Sequence, residues 1–203
     1  MSKRTHVRAL AAIGGAAVVA ALGAVTVNAS AAETSSNAAG AESGRLAAAG
    51  VQNVRRPAES LIPANIRPPA GSKLIGAEIV SSGTQTYTCT AAGTYVGTAS
   101  VPEATLVGTL GFVHHFGGPS WQAKAPFDRS ESKVTAKRVD GVDKAGTIPW
   151  LLLKVDTATG TGPLSKTTHI QRLATSGGVA PTAPCTEGQK VAVPYGAIYV
   201  FWA

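Results

Sequence analysis

Residues 84–90 read Thr-Gln-Thr-Tyr-Thr-Cys-Thr, and this stretch determines the fold prediction for the rest of the chain. Threonine, which favours strands, occupies every second position. Successive side chains of a strand point to opposite faces of the sheet, so we expect the threonines to face solvent. Tyr87 and Cys89 lie on the other face, and we expect both to point into a core.

Short segments of similar composition lie on both sides of this stretch, separated by Gly, Pro and Ser about every 8 to 12 residues. Residues 148–155 read IPWLLLKV, apolar on both faces, which predicts a central strand covered on both sides. The pattern predicts a single all-β, antiparallel domain of many short strands, either a β-sandwich or a closed barrel. Besides residues 148–155, the predicted strands are residues 73–80, 84–90, 95–101, 104–110, 112–116, 133–139, 167–175 and 197–202.

The first 60 residues are typical of an export signal followed by a linker, and not of a packed core. Lys3, Arg4 and Arg8 precede an uncharged apolar run, and Ala29 and Ala31 fit a cleavage site, so residues 1–31 are predicted to be a signal peptide. An uncleaved membrane anchor is the alternative. Residues 32–60, rich in Ala, Ser and Gly, predict a flexible linker or an Ala-rich helix. Residues 61–203 would then form one domain.

The net charge of the predicted mature protein is modest. The chain has 18 basic and 11 acidic side chains, and loss of the three leader cations leaves a net charge of +4. That value argues against nucleic acid as a partner. We expect a secreted, extracellular protein without membrane association after signal cleavage.

Cys89 and Cys185 are the two cysteines of the chain. An even count in an exported protein predicts one disulfide bond between them. Neither has the C-x-x-C or C-x-x-H spacing that redox and zinc sites use.

His115 is the first candidate for catalysis. It lies just before Gly117-Gly118-Pro119, where a strand must end, and a titratable ring there could act as a general acid or base. The alternative is that the ring hydrogen-bonds to the backbone of the loop. His114 precedes it, but neighbours in a strand face opposite sides, so we predict no metal site and no other cofactor.

Arg172, Gln171 and Trp121 are the candidate ligand-binding residues. An arginine within a strand needs a partner, and an anionic ligand is one choice. Trp121 could stack on a ligand, although aromatic residues of a small β-domain more often belong to the core. The alternative for Arg172 is a loop clamp or an internal ion pair with one of the acids Glu103, Asp143 and Asp156.

An ordered set of motifs resembles a family of exported bacterial and fungal proteins, the domain of unknown function DUF3455. The resemblance covers essentially the whole predicted domain and implies an exported bacterial protein, but no established activity. Some fungal relatives bear a malate dehydrogenase label, yet this chain lacks the G-x-G-x-x-G turn of dinucleotide binding. Relatives often place an acid after the tryptophan of the fourth motif, where this chain has Gln122. The motifs are IRPPAG from residue 66, YTCT from 87, PEATL from 102, HFGGPSW from 115, IPWLLLKV from 148, IQRLATSGGVAP from 170 and VPYGAIYVFW from 193.

Two functions remain open at this point. The first is a secreted binding or interaction domain for an extracellular small molecule or cell-wall component, with its site near His115, Trp121 and Arg172. The second is a small extracellular enzyme that uses His115 as general acid or base and Arg172 to hold an anionic substrate. Convergence of His115, Arg172 and a carboxylate in one pocket would favour the enzyme.

Overall fold

Eight β-strands form the framework of residues 57–203, the part of the chain that the computed structural model describes. Neighbouring strands run antiparallel, and their order in the sheet is their order in the sequence. They are β1 (Leu74–Thr88), β2 (Val101–Gly108), β3 (Gly111–Phe116), β4 (Ser120–Lys124), β5 (Glu131–Lys144), β6 (Thr147–Gly160), β7 (His169–Gly177) and β8 (Lys190–Trp202).

The sheet closes on itself because β8 pairs with β1 as well as with β7, which gives an up-and-down barrel. The all-β prediction is confirmed, and the barrel is the architecture formed. Closure gives each strand two partners, so no edge is left to pair with another chain. The connections alternate between the two ends. We call the end with the β1–β2, β3–β4, β5–β6 and β7–β8 connections the mouth, and the opposite end the base.

The inner face of the barrel carries the main core. Trp121, Tyr199 and Phe201 are among its largest fully buried side chains. The inward face predicted for the first strand is confirmed, since Tyr87 and Cys89 are buried while the alternating threonines 84, 86, 88 and 90 are partly or fully exposed.

A second apolar cluster lies on the outer face, where the segment before β1 packs on the sheet. Two 3₁₀ turns, Glu59–Leu61 and Ala64–Ile66, shape this segment, and it buries Ile62 and Ile66. Their partners include Leu152 and Val200, so β6 and β8 are covered on both sides. This confirms that residues 148–155 form a doubly covered strand.

Three strand predictions differ from the structure. Residues 73–80 and 84–90 belong largely to one strand, β1, whose pairing with β2 shifts register between Val80 and Ser82. A bulge keeps a strand continuous through residues that read as a turn. The strand expected at 95–101 is wrong: this segment is mostly loop, with a single bridge from Tyr95 to Cys89. β4 was not predicted, because its five residues directly follow a Gly-Gly-Pro turn signal.

The predicted disulfide between Cys89 and Cys185 is formed, and the described residues hold no free cysteine. It joins the end of β1 to the β7–β8 connection. Backbone hydrogen bonds support the junction, with the Cys89 N–H donating to the Gln189 carbonyl and the Cys185 N–H donating to the Gly93 carbonyl. The bond therefore fixes two loops at the mouth against each other.

The signal peptide predicted for residues 1–31 and most of the linker predicted for 32–60 lie outside the described residues. Within residues 57–203, no helix is long and apolar enough to cross a membrane.

Candidate functional site

A cavity of about 290 Å³ lies at the mouth of the barrel. Its size is near the lower end of the range for small-molecule sites, roughly 300–1,000 Å³. Three of the predicted site residues, His115, Trp121 and Arg172, meet here. Further polar lining comes from Gln85, Arg138 and Tyr199, and apolar lining comes from Pro102, Ile148, Leu151 and Leu153.

His115 is held as a neutral ring. Its Nδ1 lies 2.9 Å from the Ser120 carbonyl oxygen, so Nδ1 carries a proton and donates it. The ring stacks on Trp121 with centroids 4.4 Å apart. Burial lowers the pKa of His115 to about 3, against the opposing effect of the Ser120 hydrogen bond. The bond spans the Gly117-Gly118-Pro119 turn, as the backbone-bonding alternative for His115 predicts.

Two buried donors at the cavity lack an acceptor among residues 57–203. The Trp121 side chain is 0% exposed, and its Nε1 has no hydrogen-bond partner. The Nε2 of buried Gln85 is likewise without a partner, although its Oε1 accepts a hydrogen bond of 2.6 Å from Ser100 Oγ. Buried polar groups are nearly always paired, so two unpaired donors in residues that line one cavity are unusual.

Arg172 projects from β7 into the barrel. Its Nε donates a 3.0 Å hydrogen bond to the Pro149 carbonyl, which anchors the guanidinium to β6. Burial raises the pKa of Tyr199, and the charge of Arg172 together with a hydrogen bond from it opposes that shift. Arg172 is therefore bonded to the β6 backbone through Nε, and its guanidinium group also lies near the Tyr199 hydroxyl inside the barrel.

The ion-pair alternative for Arg172 is not realised in the described part of the chain. Glu103 instead lies 2.6 Å from His114 Nε2, and Asp156 pairs with Lys137 at 3.0 Å. None of the ion pairs between described residues includes Arg172 or Arg138. No Asp or Glu of residues 57–203 lines the cavity.

Arg138 and Gln85 are site residues that the sequence reasoning missed. Arg138 continues the inward alternation of Val134 and Ala136 along β5 and reaches the cavity. A Cβ at Gly141 would lie 2.5 Å from Arg138 Nη2, so the missing side chain at 141 leaves room for the guanidinium. Gln85 shares the inward face of β1 with Tyr87. The alternation of inward and outward side chains along β5 and β1 could therefore have placed both residues on the inner face.

Gln171, also predicted to bind ligand, lies on the other face of β7. Its Nε2 donates a 2.6 Å hydrogen bond to the Ile66 carbonyl, and its Oε1 accepts one of 3.0 Å from Trp202 Nε1. Both polar ends of this buried side chain are thus occupied, one in tying the segment before β1 to β7 and the other in joining β7 to β8. The structure does not bring Gln171 to the mouth cavity.

His114 and His115 face opposite sides of β3, as strand geometry requires. His114 is on the outer surface, where it contacts Glu103 and stacks on Phe116. Among the residues described, no group of three or more His, Cys, Asp or Glu side chains could hold a metal ion.

One carboxyl group is buried inside the barrel but does not line the cavity. Glu78 Oε1 accepts a 2.7 Å hydrogen bond from the Leu110 N–H and a longer one of 3.4 Å from Thr109 Oγ1. Its Oε2 has no partner in the described part of the chain. Burial raises the pKa of Glu78 to about 7, against the opposing hydrogen bonds.

Comparisons with known proteins give one match, to a family model. No curated protein and no solved structure is significantly similar to the chain. The model of the family described as "Protein of unknown function (DUF3455)" matches residues 108–203, which run from the end of β2 through β8 and include His115, Trp121, Arg138 and Arg172. Over these residues the chain matches DUF3455, which confirms the family resemblance inferred from the motifs there, while the motifs from residues 66, 87 and 102 lie before the matched range.

Proposed function

We propose that this protein is a secreted binding protein that holds a small molecule in the mouth cavity of its barrel. The observation that carries the proposal is the pair of orphaned donors, Trp121 Nε1 and Gln85 Nε2. Leaving a buried donor unpaired costs about 1–3 kcal/mol, and a ligand acceptor would recover that cost. The interior of an eight-stranded barrel is either filled by side chains or wide enough for one small ligand; here a side-chain core occupies the inside, and the cavity lies at the mouth.

The enzyme alternative has weaker support. His115 and Arg172 line the same cavity, but no carboxylate of the described residues accompanies them. A histidine with a pKa near 3 is unprotonated at neutral pH and is a weak base. Its Nδ1 proton is also committed to the Ser120 carbonyl. These features fit a histidine that forms part of the cavity wall better than one that acts as a general acid or base.

Secretion is part of the proposal. The disulfide supports it, because such bonds persist in oxidising compartments. The signal peptide predicted for residues 1–31 agrees with that location. Between the two ligand classes expected from the sequence, the small volume of this partly open cavity favours a small molecule over an extended cell-wall polymer.

A thermal-shift screen of small organic compounds on the purified protein tests the proposal. A true ligand should raise the melting temperature, because it binds only the folded state. It should also move the Trp121 indole N–H resonance in a ¹H–¹⁵N spectrum. Trp121 can be assigned by elimination with Trp150→Phe and Trp202→Phe, since both residues lie in or against the outer cluster.

Two variants locate the bound compound. Arg172→Ala should abolish the thermal shift while the protein still unfolds cooperatively. Lys154→Met removes one positive charge from the outer surface of β6 and should leave the shift unchanged. A compound that stabilises wild type and Arg172→Ala equally, without moving the Trp121 resonance, would show that binding occurs elsewhere.

A further inference from the structure

We propose that the ligand of the mouth cavity is a small organic acid, with its anionic group on Arg172 and Arg138 and an apolar body inside. This inference rests on the proposed function and specifies its ligand class. Two guanidinium groups line one cavity of about 290 Å³, and neither forms an ion pair with a described residue.

The charge balance of the cavity favours an anion. Its described lining contains two arginines and no acid, and the remaining titratable groups, His115 and Tyr199, are neutral at physiological pH. Arg172 is half-buried and Arg138 is exposed, and two positive charges that line one cavity attract an anion. A carboxylate or similar group offers the planar oxygen pair that matches a guanidinium fork.

Arg172 is positioned in advance for this role. Its Nε donates to the Pro149 carbonyl, which fixes the side chain and leaves terminal nitrogens for another acceptor. A donor that is already ordered loses little conformational entropy when it binds.

Arg138 reaches the cavity because position 141 lacks a side chain. A methyl group there would lie 2.5 Å from Nη2 and 2.9 Å from Cζ of Arg138. The nearest acid in sequence, Asp140, accepts a hydrogen bond from the Gly141 N–H, and no ion pair joins it to Arg138. The exposed Arg138 side chain therefore lines the cavity without an ion-pair partner among the described residues.

The rest of the cavity defines the remainder of the ligand. Ile148, Leu151 and Leu153 supply apolar wall that would contact a hydrocarbon or aromatic body. Trp121 Nε1 and Gln85 Nε2 lack an acceptor among the described residues, but both atoms are covered, so a ligand oxygen would reach them only if neighbouring side chains moved.

The test uses 1-naphthoate and 1-naphthamide, which share shape and apolar body but differ in charge. Binding to the purified protein is measured by titration of the Trp121 indole resonance. We expect naphthoate to bind at least about tenfold more tightly than naphthamide, because only the anion pairs with the guanidinium groups. We also expect its affinity to fall as salt is added.

Variants identify the groups responsible. Arg172→Met and Arg138→Met should each remove most of the naphthoate preference, and Lys154→Met should keep it. Gly141→Ala should weaken naphthoate binding with no change of net charge, because the added methyl would displace Arg138 and press on Leu151, both of which line the cavity. It provides a second route to the answer if Arg172→Met fails to fold.

The outcomes separate the two proposals. Equal binding of both compounds at Trp121 would overturn the anion inference and leave the cavity as a binding site. A naphthoate preference that persists in both arginine variants would also overturn it. Binding of neither compound, or binding that leaves the Trp121 resonance unmoved, would contradict the anion inference and count against the cavity itself.

Discussion

Glu78 and His115 are both buried inside the barrel, and their burial has opposite effects on stability. The pKa of Glu78 rises from 4.5 to about 7, so the folded state retains a proton that the unfolded chain loses. Stability from Glu78 is therefore full below pH 4.5 and is lost as pH rises toward 7. For His115 the pKa falls from 6.5 to about 3, so its contribution is present above pH 6.5 and is lost as pH falls toward 3.

The Glu78→Gln variant should reveal the histidine's contribution alone. Between pH 4.5 and 6.5 the two effects oppose each other in the wild-type protein, each with a slope of about 1 kcal/mol per pH unit. Removing the carboxyl should leave a free energy of unfolding that rises with pH across this window. Urea unfolding at several pH values measures it, and the exposed Glu103→Gln is the matched control. A pH dependence identical to wild type would show that Glu78 does not titrate in this way.

The His115→Phe variant should show the opposite slope. Phenylalanine preserves an aromatic ring beside Trp121 and removes the titrating group, so stability should fall as pH rises from 4.5 to 6.5. The lost hydrogen bond to the Ser120 carbonyl should also lower stability by about 1–3 kcal/mol at all pH values. The same urea series measures both effects. Stability that rises with pH in this variant would contradict the assignment.

At the scale of elements, the segment before β1 seals the outer face of the barrel. Ile66 is fully buried there, and its carbonyl accepts the Gln171 side chain. Ile66→Ala should lower the free energy of unfolding by about 2–4 kcal/mol through lost burial and the resulting void. Leu61→Ala, at a position 70% exposed, should change it by less than about 0.5 kcal/mol. Equal effects on the urea midpoint would mean that the segment does not pack as described.

The strands that could be predicted are those whose two faces differ, or whose two faces are both apolar. Alternation in Thr84–Thr88 gave the inward side of β1, and the apolar run beginning at Ile148 gave β6. β4 could not be predicted, because five residues contain too few periods and its pairing with β3 and β5 is set by tertiary contacts. The continuity of β1 across Ser81 and Ser82 likewise depends on its neighbours β2 and β8.

The candidate site was predictable in part. His115 and Arg172 stood out because a titratable ring beside a glycine turn and a charged residue within a strand both require explanation. Their meeting in one cavity depends on barrel closure, which brings together strands far apart in sequence. Gln171 does not share the mouth cavity with Arg172, since adjacent strand residues face opposite sides.

At the scale of the whole molecule, the Cys89–Cys185 bond closes a loop with a sequence separation of 96 residues. The chain-entropy relation assigns such a loop about 4–5 kcal/mol of stabilisation. Reductant should therefore lower the urea midpoint of the wild-type protein markedly. The Cys89→Ala/Cys185→Ala variant should match the reduced protein and be insensitive to reductant. A wild-type midpoint unchanged by reduction would contradict this role.

The pairing of β8 with β1 has a consequence for how the protein is made. Lys73 and Ala203 exchange backbone hydrogen bonds, and neither β1 nor β7 has its full set of partners until β8 is in place. β8 is the last of the eight strands to be synthesised, so the barrel can close only after all the others have been made. Until β8 pairs, β1 and β7 each have an unpaired edge. Closing the barrel therefore requires contacts between strands that lie far apart in the sequence.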